Sequence, residues 1–139
     1  MNLKRALLAA VGAFVVIVAA DMVIHNIWLG PFYHAHPTWW RSAADMQSMM
    51  GFMFGAQFAL AALLALVYAK GYENHKGGAS QGFRFGVLMG LLLEGPKNLM
   101  LHAIYPYPAS LLTNWFIGGL VEMILAGIVI GLLYRPSKS

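Results

Sequence analysis

Cysteine is absent from this sequence and charge is scarce, with only 10% of its 139 residues being Asp, Glu, Lys or Arg. The first absence rules out disulfides, thiolate metal sites and cysteine nucleophiles. Also missing is any polar stretch long enough to fold as a soluble domain beside the hydrophobic runs. What is present is apolar: 60% of the residues are hydrophobic and the mean hydropathy is +0.66. Such a composition belongs to an integral membrane protein whose main partner is the lipid bilayer.

Four apolar runs, over about 6–29, 46–69, 83–105 and 111–134, each supply the roughly 20 residues needed to cross the hydrocarbon. They predict an all-α membrane protein, a four-helix transmembrane bundle of two hairpins forming one domain over 1–139. Lys4, Arg5, Lys70, Lys76, Arg84, Arg135 and Lys138 fall on one side of these spans and only Arg41 on the other. Because Lys and Arg next to spans stay in the cytoplasm, both termini are expected there. The net charge of +4 is then accounted for by topological anchors facing anionic lipid, with no call for nucleic acid. Lys4 and Arg5 followed by Val18-Ala19-Ala20 imitate a secretory signal, but the apolar pattern runs on to Leu29, which predicts a retained span.

The connections carry turn chemistry. Gly30-Pro31 should end the first span, and Tyr33, Trp39 and Trp40, with Trp28, read as an interfacial aromatic belt. Ser42 and Asp45 make a capping pair for the second span, and Ser80 a cap for the third. His75, in the glycine-rich loop before it, reads as an ordinary solvated side chain.

Polar residues inside the spans are the functional clue. The segment Leu93–His102 places Glu94, Pro96, Lys97, Asn98 and His102 in an apolar run, and ionisable groups in a membrane are costly enough to mark a site or a polar helix contact by default. Gly82, Gly86, Gly90, Glu94, Asn98 and His102 recur every four residues, forming a ridge that is small in its first half, as in GxxxG packing, and polar in its second. Similar rows, Asn114, Gly118, Glu122 and Ala126, and Gln47, Gly51, Gly55 and Ala59, are expected to face it. Counting about 1.5 Å per residue from the basic anchors puts Gln57, Glu94, Lys97, Asn98 and Glu122 roughly 15–21 Å deep. Asp21 falls further out, and His25 and His102 further still. Away from the basic anchors at their ends, the spans hold three acids, Asp21, Glu94 and Glu122, against the single base Lys97. That excess calls for a shared proton, a protonated histidine or a bound cation. Asp21 with His25, and Glu94 with Lys97, are spaced to meet on their own helices. Pro96 predicts a kink that frees the Leu92 carbonyl.

Two cofactor readings compete with a cation site. His34 and His36, with Met46, Met49, Met50 and Met53, form an imidazole and thioether set suited to copper, although methionines at this spacing also read as a packed helix face. His25 and His102 are alternatively axial haem ligands. No nucleophile motif, phosphate loop or HExxH zinc signature is present, which leaves catalysis only to the intramembrane acids.

At GYENHKGGASQGFRFG after the second span, and at the closing Gly131-Leu132-Leu133-Tyr134-Arg135-Pro136, the chain resembles small bacterial four-span membrane proteins of unknown function. The resemblance implies four helices in the bacterial inner (plasma) membrane and supplies no activity or site residue. Two functions follow from the residues: a membrane protein that binds or passes a cation or proton at the polar layer, or a non-enzymatic accessory subunit of a homo-oligomer or larger membrane complex whose polar groups lock helices together.

Overall fold

A computed structural model describes residues 1–74 and 77–134; His75, Lys76, Arg135, Pro136 and Lys138 lie outside the described residues. Those that are described form helices and connections with no strand. Helix α1 (Leu3–Asp21) continues as a π-helical stretch over Met22–Trp28. A short α2 (Gly30–Ala35), a 3₁₀ turn (Pro37–Trp39) and α3 (Ala43–Ser48) lead into α4 (Met50–Lys70), followed by α5 (Ala79–Ile104) and α6 (Ala109–Leu133). Three of these are long and apolar enough to cross a membrane: Leu3–Trp28, Met50–Lys70 and Ala109–Leu133. The chain is thus a helical protein of membrane character. Helix α5 has the length, 26 residues, but carries Arg84, Glu94, Pro96 and Lys97 along it.

Local chemistry explains most boundaries. Asn2 caps α1 by accepting the Arg5 N–H. Ser42 accepts the Asp45 N–H at 3.1 Å while its hydroxyl donates to the Asp45 carboxylate at 2.8 Å, so the expected capping pair starts a helix, but that helix is α3. The chain breaks at Met49 before α4 begins, where sequence periodicity alone gives one continuous span. Helix α5 begins after Gly78, whose φ of 89° suits glycine; Ser80 lies inside the first turn instead of capping it. The helix also runs unbroken through Pro96.

Helices α1 and α6 pack centrally, α4 lies against α1, and α5 against α6. The α5–α6 contact rests on glycine. A Cβ on Gly86 would stand 2.5 Å from the Met123 carbonyl oxygen and 2.6 Å from Ile124 Cα, while Gly82 and Gly127 press on each other's backbone. The glycine row of α5 therefore meets the side of α6 bearing Met123, Gly127 and Gly131. The α6 row expected to meet it turns elsewhere, with Gly118 packing on Ile24 of the π stretch. On α4, Gly51 and Gly55 face open space, so that row meets none of the others. The core of Ala13, Ile17, Ala61, Leu64, Met123, Ala126 and Ile130 fills the half of the bundle towards the termini. There the Asn2 N–H donates to the Tyr134 hydroxyl at 3.3 Å, so Asn2 and Tyr134 lie at one end of the bundle.

Candidate functional site

Away from the termini the core gives way to polar residues. A cavity of about 220 Å³ is lined by Asp21 and His25 of the first helix, Leu60 of α4, Glu94 and Lys97 of α5, and Trp115 and Glu122 of α6. Gln57 of α4 joins it by donating a short amide hydrogen bond to Asp21. Six of the eight expected polar ligands therefore converge from four helices: Asp21, His25, Gln57, Glu94, Lys97 and Glu122. Asp21 belongs to this layer instead of lying beyond it, because residue counts from separate anchors convert to height only when helices run parallel from a common level.

Glu94 and Lys97 form the firmest pair, with Lys97 Nζ at 2.7 and 2.6 Å from the two carboxylate oxygens. The spacing of three residues makes this contact local to one helix face. Asn98 donates to both the Glu94 carbonyl, at 2.9 Å, and its carboxylate, at 3.2 Å. Across the interface Glu94 lies on Gly119, where a Cβ would come within 2.5 Å of Glu94 Cδ. The glycine is what lets the carboxylate sit between α5 and α6.

The second group is built on the π stretch. His25 Nε2 lies 3.5 Å from an Asp21 oxygen, and its Nδ1 lies 2.7 Å from the Tyr33 hydroxyl. Trp115 Nε1 donates to that same hydroxyl at 2.8 Å. The Tyr33 hydroxyl thus ties His25 to Trp115 of α6. Single-turn π segments are frequent at functional sites, and this one carries His25. Asp21 and Glu122 line this one cavity together with Glu94. Carboxyl groups gathered in this way favour a shared proton or a cation among them.

Neither Tyr33 nor Trp115 is a site candidate from the sequence. Tyr33 reads there as a belt aromatic, yet it stands eight positions from His25 across Gly30-Pro31, and the short α2 turns it back over the π stretch. Burial pushes the Tyr33 phenol above its ordinary pKa, partly offset by the Trp115 hydrogen bond. Trp115, which lines the cavity, packs on Trp40 at 6.1 Å, and Trp40 on Tyr33 at 5.0 Å.

The remaining sequence candidates lie elsewhere. Asn98 and His102 border a separate, mostly apolar groove of about 390 Å³ between α5 and α6, so His25 and His102 line different cavities. His36 stacks on Phe32 at 4.4 Å with its Nδ1 beside the Phe32 carbonyl, and His34 is exposed. Met46, Met49, Met50 and Met53 are exposed along α3 and α4 instead of forming a packed face. Among the described residues no group of three or more His, Asp or Glu side chains is placed to hold a metal ion. No protein-family model matches this chain, and neither a curated protein nor a solved structure similar to it was found.

Proposed function

We propose that this chain is a four-span protein of the bacterial inner membrane, with both termini cytoplasmic, whose polar cavity binds a proton or a small cation. It would then be one of the small bacterial four-span proteins it resembles. Three spans are apolar along their length. Helix α5, packed along α6, is the fourth, its charged groups turned into the cavity or set near its start. The basic residues of the terminal end support the orientation.

The gathering of Asp21, Glu94 and Glu122 around one cavity with the single lysine Lys97 carries the ligand assignment. Lys97 is engaged by Glu94, so the second and third acids have His25, the Gln57 amide and whatever cation the cavity takes. Infrared spectroscopy of the purified full chain tests this. A protonated carboxyl band is expected that shifts when a monovalent cation is added or the pH is raised, and that disappears in Glu122→Gln. Finding neither a protonated carboxyl nor a bound cation, with the Glu122→Gln spectrum unchanged, removes the reading.

The accessory-subunit reading draws support from a different observation, the exposed half of α4, where Gly51 and Gly55 face open space beside Phe52, Met53 and Phe54. In that case Glu122→Gln and Asp21→Asn weaken assembly and leave cation binding, measured by equilibrium dialysis, at background in every variant. Haem and copper gain no comparable support; metal analysis with an absorbance spectrum tests both at once.

A further inference from the structure

The cavity around Glu122 has an apolar wall as well as a charged one: Ile24, Leu60, Leu93 and Met123 line it together with Trp115. Its volume of about 220 Å³ is room for about seven waters at roughly 30 Å³ each. An inorganic ion draws its oxygen ligands into a tight shell, at about 2.0–2.6 Å for the divalent ones. Among the described residues no group of three or more His, Asp or Glu side chains is placed for one. The three acids also differ in the donors they already have. Glu94 is held by Lys97 and Asn98, and Asp21 by the Gln57 amide, with His25 at 3.5 Å. Glu122 is only 7% exposed and lines the cavity, yet no lysine, histidine or amide among the described residues donates to its carboxylate. Gln57, its amide N–H engaged by Asp21, likewise leaves Oε1 buried without a donor. Unmet acceptors therefore stand on both α4 and α6, a costly state unless a ligand supplies the N–H groups.

We propose that this cavity takes a primary organic ammonium, an N–H-bearing cation with a short apolar group, in preference to an inorganic ion. The inference rests on the cation reading given above and narrows its ligand. The ammonium donates to Glu122 and Asp21, and its apolar group lies against Leu60, Leu93 and Met123. Trp115, fixed by its Nε1–H bond to the Tyr33 hydroxyl at 2.8 Å, adds the aromatic wall that favours a cation in a desolvated site. A primary ammonium carries three N–H donors and no acceptor, which suits a set of acceptors lacking donors. A quaternary ammonium brings charge and apolar surface but no N–H. An alkali ion brings charge alone and leaves the apolar wall facing water, without the gain of burying it.

Isothermal titration calorimetry of the full chain in micelles, with the heat of empty micelles subtracted, tests this with the chlorides of sodium, methylammonium, propylammonium and tetramethylammonium. Propylammonium is expected to bind most tightly, by about fourfold over methylammonium for each added methylene that the apolar wall covers. Tetramethylammonium should bind roughly tenfold more weakly than propylammonium for want of charged hydrogen bonds. Glu122→Gln should lower the propylammonium affinity about tenfold or more, and Trp115→Leu severalfold, with helicity by circular dichroism unchanged. The wild-type series decides even if a variant fails to fold. Sodium or tetramethylammonium binding as tightly as propylammonium, equal affinity for methylammonium and propylammonium, or unchanged affinity in a folded Glu122→Gln overturns the organic-ammonium inference and leaves the cation reading standing. Binding of none of the four, with a protonated carboxyl still seen in the infrared, overturns it and leaves the proton. Absence of both removes the inference and the reading beneath it.

Discussion

Replacing Lys97 by methionine preserves the reach of the side chain and removes its charge. In the native chain the Lys97 ammonium contacts both oxygens of Glu94, at 2.7 and 2.6 Å. The Glu94 side chain is 13% exposed and that of Lys97 is 52% exposed. Removing the lysine strands the less exposed of the two charges, which keeps the Asn98 amide at 3.2 Å. Breaking a fully buried pair costs about 3–5 kcal/mol; half-exposure of Lys97 lowers this, and roughly 2 kcal/mol is expected. Glu94→Gln alone should cost about 1 kcal/mol, because a half-exposed lysine reaches other polar surroundings. The double variant has no stranded charge and should be no worse than about 1.5 kcal/mol, which leaves a coupling of at least about 1.5 kcal/mol. The assay is reversible unfolding of all four proteins in mixed micelles, followed by tryptophan fluorescence. A Lys97→Met cost under about 0.5 kcal/mol, or single costs that simply add, would refute the view of this pair as an interdependent unit.

Other consequences are as direct. Gly86→Val should force α5 from α6 and destabilise the chain by about 3 kcal/mol or more, since a Cβ there already stands 2.5 Å from the Met123 carbonyl oxygen; unfolding midpoints check it. Gly55→Ala, where nothing lies within 4 Å of the added Cβ, should instead stabilise by about 0.5–1 kcal/mol through helix propensity, and a loss of comparable size would mean that this face is already covered. Because burial raises the Tyr33 pKa, the stability it contributes is complete below the unfolded value of about 10 and is lost as pH rises through the raised folded value. Alkaline titration of phenolate absorbance, compared with Tyr33→Phe, should show this ring ionising after the exposed tyrosines, and earlier ionisation contradicts its hydrogen-bonded placement.

Helical class and membrane character were legible from composition and run length, because crossing a bilayer demands about 20 apolar residues in a row whatever they pack against. The Glu94–Lys97 and Asp21–His25 contacts were legible too, since spacings of three and four residues set them within one helix. The Ser42–Asp45 cap belongs with them. Which helix faces which was decided only in three dimensions. Periodicity assigns residues to a face and says nothing about the neighbour that covers it, so Gly127 and Gly131 receive the α5 glycines while Gly51 and Gly55 receive nothing. Tertiary structure likewise brought Asp21 to Gln57 and into one cavity with Glu122, 36 and 101 positions away in the chain. It also turned Tyr33 from a belt aromatic into a partner of His25, by folding a short helix back over the π stretch. The acid excess was written in the sequence; how those acids are shared depends on packing among four helices, which no local spacing encodes.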